Sequence, residues 1–264
     1  MSQPLAIVTE KSHNSLNIHE IPIARPPWTT LGRKLESMCR KALHEFKLVE
    51  GVESLAVALS GGKDSLTLLF LLKAILGRGF PPIELHAIHV SGPYSCGAGL
   101  GKGYLEEICK HLGVNLVICP TRSSAPPKEC YSCSRERRSL IFAAAKEVGA
   151  ATVAFGHHRD DSIQTLLMNL FHKGEFAANL PKVPMIDYGV TIIRPLIYIA
   201  EEQIREFAKI HGFARITCQC PIGQQSMRQE IKELITTIEE RFPNVRTNLA
   251  QAAHHYGSQK ALQK

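Results

Sequence analysis

Short apolar strands alternate with helical segments through most of this chain, and this alternation restricts the possible fold more than any other feature of the sequence. Strands are predicted at residues 54–59, 83–90, 114–119, 151–155 and 190–193, and helices at 28–48, 65–76, 104–112, 132–148, 160–172 and 201–211. The pattern predicts an α/β fold with an open parallel sheet and helices on both faces. Such sheets bind ligands beyond the carboxyl ends of their strands. We therefore expect the chemistry in the loops that follow Leu59, Val90, Cys119 and Phe155.

Three regions are predicted along the chain. Residues 1–27 form an irregular N-terminal arm, residues 28–224 the main α/β domain that starts with an N-terminal helix, and residues 225–264 a helical C-terminal extension. The composition, 44% hydrophobic and 21% charged, is that of an ordinary globular protein. The longest apolar run, at 66–72, is too short to span a bilayer, and residues 1–10 lack the pattern of a secretory signal. These features predict no membrane association and a cytoplasmic location.

The loop between the first predicted strand and the helix that follows it has the composition of a phosphate-binding loop. Its two glycines permit a sharp turn and a close approach of the backbone to a ligand. The helix start offers N–H groups and a positive dipole end to an anion, the lysine adds charge, and the two serines add hydroxyl groups. The aspartate is expected beside a magnesium ion that bridges phosphates. The loop comprises Ser60, Gly61, Gly62, Lys63, Asp64 and Ser65.

Four of the eight cysteines form a pattern that indicates a metal site. Cys130 and Cys133 form a C-x-x-C motif at a loop-to-helix junction, and Cys218 and Cys220 form a C-x-C motif followed by proline. Four thiolates could close a structural zinc site, whereas three thiolates with an open position would suit a 4Fe-4S cluster with one free iron. The spacing alone leaves both possibilities open. Three other cysteines lie in apolar periodic segments and are predicted to be buried: Cys39, Cys109 and Cys119.

Four motifs occur in an order that resembles one known family. The phosphate loop is followed by the C-x-x-C motif with Arg137, then by the segment from Gly156 to Asp161, then by Ile193-Arg-Pro-Leu196. This combination resembles the tRNA 2-thiolation enzymes of the PP-loop ATP pyrophosphatase superfamily, most of all the 2-thiocytidine branch. The resemblance covers roughly residues 28–240. It implies a Rossmann-like PP-loop fold in which residues 28–224 are the ATP-binding catalytic domain.

The resemblance also implies a reaction and its cofactors. ATP with Mg²⁺ would adenylate the C2 oxygen of a cytidine in tRNA, at position 32 of the anticodon loop, and release pyrophosphate. Sulfur carried on a 4Fe-4S cluster would then replace that oxygen and release AMP. The cluster ligands would be Cys130, Cys133 and Cys220.

Roles for the polar residues around the predicted site follow from the same resemblance. Asp161 is expected nearest the substrate or magnesium, whereas Asp160 is expected to cap the helix that starts there. Arg137 lies one helical turn after Cys133 and is expected near the cluster, where it would steady a phosphate or the leaving oxygen. Gly156 would let the backbone approach the nucleotide. The catalytic residues would be Asp161, Asp64 and Arg137, with Gly156 and the six phosphate-loop residues as the nucleotide-binding set.

The expected partners are tRNA and a sulfur donor such as a cysteine desulfurase, and a homodimer is expected from the resemblance. The formal net charge of +7 agrees with an anionic partner. Three alternatives remain: a tRNA 2-thiouridine synthetase, another PP-loop adenylating tRNA ligase, and a non-catalytic nucleotide-binding or redox-sensing protein. The ordered cysteines argue against the ligase, and the intact phosphate loop argues against the non-catalytic protein.

Overall fold

The computed structural model describes residues 21–92, 102–122, 130–213 and 227–257. The strands are β1 (Ser54–Ala58), β2 (Glu84–Ser91), β3 (Asn115–Pro120), β4 (Thr152–Ala154), β5 (Lys182–Met185) and β6 (Val190–Ile193). The helices are α1 (Thr30–Glu45), α2 (Lys63–Ile75), α3 (Lys102–Leu112), α4 (Cys130–Glu147), α5 (Arg159–Lys173), α6 (Glu201–Ile210), α7 (Met227–Arg241) and α8 (Val245–Tyr256).

The sheet has the strand order β3-β2-β1-β4-β6-β5, and all neighbours run parallel except β5, which pairs antiparallel with β6. The predicted parallel sheet is therefore confirmed, with one antiparallel strand added at its edge. The sequence did not indicate β5 because Pro184 interrupts it, and proline removes a ladder hydrogen bond that only an edge strand can lose. The chain runs outward from β1 in one direction and from β4 in the other. The boundary between β1 and β4 is thus the switch point where such sheets bind ligands.

Helices cover both faces of the sheet, as the sequence predicts. On one face, α1, α2, α3 and α6 build the larger core, in which every residue of α2 from Leu66 to Leu72 is buried. That helix lies against the sheet, α1 and α6, which explains its nearly continuous apolar run. On the other face, α4 packs against β2, β3 and β4 through Ile141, Phe142 and Ala145.

The two C-terminal helices pack on α5. Ile163 and Leu167 of α5 meet Ile231 and Ile235 of α7 and Ala250 of α8 in a small separate apolar cluster. This cluster places the C-terminal helices beside the start of α5, next to the switch point. Among the described residues, no helix has the length and apolar character needed to cross a membrane. The predicted boundaries at residues 27 and 224 stay predictions.

Candidate active site

The phosphate loop is held in shape by its own hydroxyl groups. Gly61 takes a φ of 82°, a left-handed conformation that favours glycine. The Ser65 hydroxyl donates to the Gly62 carbonyl at 3.0 Å, and the Gly62 amide donates to the Ser60 hydroxyl at 3.3 Å. Gly62 is the N-cap of α2 and has no side chain to cap it. The first turn of α2 therefore presents its amides toward the loop, an arrangement that suits an anion.

A buried histidine fixes the end of β1 against β2. Nδ1 of His89 lies 2.9 Å from the Leu59 carbonyl, to which it donates a hydrogen bond. Burial lowers the pKa of His89, so its imidazole is neutral at physiological pH. No local pattern predicts this contact, because the two residues are brought together only by the parallel pairing of β1 and β2. The contact holds the strand that leads into the phosphate loop.

An open cavity of about 210 Å³ lies at the switch point. Six residues expected at the site line it together, contributed by the phosphate loop, α2, α4, the loop after β4 and α5. Its remaining walls are mostly apolar and come from β1, β2, α4 and the end of β4. The six residues are Ser60, Asp64, Ser65, Arg137, Gly156 and Asp161. Lys63 is also expected at the site, but it lines a second cavity beside the first.

Lys63, Asp64 and Asp161 form a charged group at the boundary of the two cavities. Nζ of Lys63 lies 2.9 Å from Oδ1 of Asp64 and 3.5 Å from Oε1 of Glu201. Nε2 of His158 lies 3.7 Å from Oδ1 of Asp64 and 3.4 Å from Oδ2 of Asp161. The imidazole thus stands between two carboxylates that line both cavities. Carboxylates beside a phosphate loop are the ligand type that Mg²⁺ prefers.

His158 is the N-cap of α5 and Asp161 completes a capping box with it, so the expected assignment of the cap to Asp160 is wrong. The Asp161 carboxylate accepts a hydrogen bond from the His158 amide at 3.1 Å, and the Asp161 amide donates to Nδ1 of His158 at 3.4 Å. The second carboxylate oxygen of Asp161 lies 3.2 Å from Nη1 of Arg228 on α7. Burial opposes ionisation of Asp161, but the neighbouring His158 and Arg228 hold its pKa below the ordinary value. The carboxylate stays charged where it faces the cavity.

Asp160 joins three helices instead. Its Oδ2 accepts a hydrogen bond from the Glu201 amide at 2.9 Å, which supplies α6 with the cap that Ala200 cannot provide. Its Oδ1 lies 3.0 Å from Nη1 of Arg246 on α8. Both partners of this ion pair are largely buried. Asp160 therefore fixes the starts of α5 and α6 and fastens α8 to them.

We expect Asp160→Ala to lower the free energy of unfolding by about 3 kcal/mol, because it leaves Arg246 largely buried without this partner and removes the cap of α6. Urea denaturation followed by circular dichroism would measure the change. The matched control is Glu239→Ala, which removes the more exposed partner of the same arginine, at 2.7 Å, and should cost less than about 1 kcal/mol. Equal losses in the two variants would contradict the role given to Asp160.

Two arginines, Arg138 and Arg194, lie near the buried His157 beside the cavity. The ring of His157 stacks on Phe155 with centroids 5.7 Å apart. Burial, together with Arg194, lowers the pKa of His157 to about 3, so the imidazole is neutral. Burial and the charge of Arg138 lower the pKa of Arg194 to about 9, which still leaves the guanidinium protonated at neutral pH. The resemblance included Arg194 only as part of a motif, and its position beside the site could not be inferred from the sequence.

Gly156 is required by the packing of two loops. A Cβ atom at this position would lie 3.0 Å from the carbonyl carbon of Asp64 and 3.1 Å from the amide nitrogen of Ser65. The sequence predicts that Gly156 lets the backbone approach a nucleotide. In the structure, Gly156 also lies against the backbone of the first turn of α2. Gly156 thus sets the separation between the phosphate loop and the loop after β4.

Gly156→Ala should weaken ATP binding by about tenfold, because the backbone atoms that meet the new methyl group can separate only by moving the phosphate loop. Calorimetric titration with ATP would measure the loss. Gly103→Ala is the matched control, since nothing lies within 4 Å of a Cβ there and its helix favours alanine. Unchanged ATP affinity in Gly156→Ala would show that the loop tolerates the shift.

The described cysteines divide into buried thiols and one beside the site. Cys39 and Cys109 are buried as predicted, and burial raises their pKa values to about 12 and about 11. Cys119 is half-buried, and burial raises its pKa as well. Cys133 is half-buried on α4, one turn before Arg137. Arg137 and Ile141, which follows one turn later, both line the cavity. Of the described cysteines, Cys133 is thus the candidate ligand, because it stands on the helix whose later turns line the cavity.

Two of the three predicted cluster ligands, Cys130 and Cys220, cannot be placed at the site from the described residues. Cys220 and Cys218 lie outside the described residues, and so does the side chain of Cys130, although its backbone begins α4. Within the described ranges, no three His, Cys, Asp or Glu side chains are grouped so as to hold a metal ion. The ligand set therefore stays a prediction.

The sheet order, the Ser-Gly-Gly-Lys-Asp-Ser loop between β1 and α2 and the cavity at the switch point define a PP-loop protein. Residues 19–237 match the family model described as the PP-loop domain. A tRNA-cytidine(32) 2-sulfurtransferase of Syntrophotalea carbinolica is 34% identical over 84% of this chain and 88% of its own length. One from Geobacter sulfurreducens is 32% identical over 83% of this chain and 88% of its own length. The chain belongs to the PP-loop family and, within it, to the family of these tRNA-cytidine(32) 2-sulfurtransferases.

A solved structure supports the fold independently. The U34-tRNA thiolase NcsA from Methanococcus maripaludis, solved with its 4Fe-4S cluster, superposes with a TM-score of 0.69. The alignment covers 88% of this chain and 80% of that chain at 21% identity. At this identity the likeness establishes the common fold of the two chains.

Proposed function

We propose that this chain is an ATP-dependent tRNA sulfurtransferase that replaces the C2 oxygen of cytidine 32 with sulfur. The relatives of that name match it over more than four fifths of its length. The observation that carries the proposal is the composition of one cavity, in which the phosphate loop, two carboxylates and Arg137 meet. These are the groups that adenylation of a carbonyl oxygen requires: phosphate donors, magnesium ligands and a cation near the reacting atoms.

The first step would be activation of the base. The phosphate loop and Lys63 bind the triphosphate, and Asp64 and Asp161 would hold Mg²⁺ against it. The C2 oxygen of cytidine attacks the α-phosphorus, the bond to the β-phosphate oxygen breaks, and pyrophosphate leaves. The amides of α2 and the charge of Lys63 stabilise the negative charge that develops on the phosphates. The new bond to AMP makes the C2 oxygen a good leaving group.

The second step would exchange oxygen for sulfur. Sulfur bonds to C2, the bond from C2 to the adenylated oxygen breaks, and AMP leaves with that oxygen. Arg137 lies where it can neutralise the departing phosphate. The cysteine donors fit an iron–sulfur cluster, because three thiolates are available and Cys133 lies one turn from Arg137 at the cavity wall. Cys130, Cys133 and Cys220 would hold it, and the bound cluster would supply a carrier for sulfur.

The partners of this reaction follow from its chemistry. The substrate would be tRNA, whose anticodon loop exposes the base that must enter the cavity. The sulfur would come from a donor such as a cysteine desulfurase. We further propose a cytoplasmic location and a homodimer.

The test is a reconstituted reaction under anaerobic conditions. The cluster-loaded full chain would be incubated with ATP, Mg²⁺, sulfide and unmodified tRNA, and the digested nucleosides would be examined by mass spectrometry. We expect 2-thiocytidine, with AMP formed only when tRNA is present. Appearance of 2-thiouridine would support the alternative thiolase, and absence of any ATP turnover would support a non-catalytic nucleotide-binding protein.

A further inference from the structure

A second cavity of about 220 Å³ lies beside the first, on the far side of Asp64 and Asp161. Those two carboxylates line both cavities, so the spaces meet there. Its walls are the start of α2, the first turns of α5 and α6, and one face of α7. A triphosphate bound at the phosphate loop in the first cavity can therefore extend into the second without crossing a wall of the fold.

The second cavity is lined by three cationic side chains from distant parts of the chain: Lys63 on α2, and Arg228 and Lys232 on α7. Each is paired with a carboxylate at the rim. Nζ of Lys232 lies 2.8 Å from Oε2 of Glu201, and Nζ of Lys63 lies 3.5 Å from the other oxygen of the same carboxylate. Burial alone would raise the pKa of Glu201, but Lys232 and Lys63 lower it to about 2. Glu201 thus holds Lys63 and Lys232 together on the cavity wall, and Asp161 holds Arg228, 3.2 Å from its Oδ1.

One further polar side chain lies in this wall. Gln164 on α5 is 5% exposed and lines the cavity. Its carboxamide can therefore contribute a hydrogen bond to a ligand held by the three cations. Its NH₂ group donates, as the three cations do, and all four therefore suit an anion rich in oxygen acceptors.

We propose that Gln164, Arg228 and Lys232 bind the β- and γ-phosphates of ATP, and then the released pyrophosphate, in this second cavity. The inference rests on the proposed function, since it assigns the leaving group of that reaction to a place. The phosphate oxygens replace the carboxylates of Glu201 and Asp161 as partners of Lys232 and Arg228. The C-terminal helix α7 is then one wall of the nucleotide site as well as a packing element.

The test compares pyrophosphate, ATP and AMP as calorimetric ligands of the cluster-loaded full chain in the presence of Mg²⁺. Lys232→Ala should weaken binding of pyrophosphate and ATP about tenfold, and Gln164→Leu about fivefold, each with AMP affinity unchanged. The matched control is Arg205→Ala. Arg205 also pairs with Glu201, at 3.2 Å, but it does not line the cavity, so pyrophosphate affinity should stay at the wild-type value.

The outcomes separate this inference from the proposed function. Pyrophosphate affinity unchanged in both variants, or AMP affinity lost in parallel with pyrophosphate affinity, would overturn the role of the second cavity. In the first case the phosphates bind elsewhere, and in the second the residues only support the fold. Formation of 2-thiocytidine by the wild-type chain is measured separately, so it can succeed while the inference fails.

Discussion

Lys63→Ala should reduce the rate of tRNA-dependent AMP formation by about 10²- to 10³-fold, which is the loss seen when one preorganised donor is removed from developing charge. Nζ of Lys63 lies at the rim of the second cavity between Asp64 and Glu201, at the start of α2. Its charge should count most when the bond between the α-phosphate and the leaving pyrophosphate breaks. Single-turnover measurement of AMP from labelled ATP would follow that step.

The same helix offers a matched control for Lys63. Lys73 stands in the last turn of α2 and is exposed, so Lys73→Ala removes an equal charge far from the phosphate loop and should leave the rate unchanged. A loss below tenfold in Lys63→Ala would mean that the α2 amides alone stabilise the phosphates. A comparable loss in both variants would indicate a general effect of charge on tRNA binding.

Cys133→Ser should abolish formation of 2-thiocytidine while ATP binding stays at the wild-type value. A serine hydroxyl is a poorer ligand of cluster iron than a thiolate, whereas the phosphate loop is built by other residues. Anaerobic purification followed by iron and sulfide analysis should give about four irons per chain in the wild type and a large loss in the variant. The thiolation assay and an ATP titration would be run on the same samples.

Other cysteines provide the controls for this variant. Cys119→Ser should keep its iron, since Cys119 stands in β3 and is not among the residues that line the cavity. Cys220→Ala should lose the iron and Cys218→Ala should retain it, which tests the choice between the two. About one zinc per chain and no iron would contradict the sulfur-carrier mechanism and favour an adenylating ligase with a structural metal.

The sequence predicted those parts of the site that are local in the chain. The phosphate loop, the start of α2 and the place of Arg137 on α4 follow from glycine positions and helical spacing, and the structure brings them to one cavity. The edge strand β5 was missed because a proline obscures its pattern. Its presence depends on pairing with β6 and not on its own four residues.

The roles of Asp160 and Asp161 show where sequence reasoning ends. The two carboxylates are neighbours at the start of one helix, and either fits a cap by position. Their distant partners separate them: Asp160 meets Glu201 and Arg246, and Asp161 meets Arg228. These contacts span 41, 86 and 67 residues, so no local pattern could have assigned them.

The order of synthesis gives these long-range ion pairs a further consequence. A ribosome completes the phosphate loop, Asp160 and Asp161 before it makes Arg228, Lys232 and Arg246. Until those residues emerge, Asp160 and Asp161 lack their ion-pair partners on α7 and α8, and α5 lacks the cover of these helices. A nascent or truncated chain therefore holds the ATP loop without the helices that complete its surroundings. Translation of α7 and α8 thus determines when this protein acquires its finished nucleotide site.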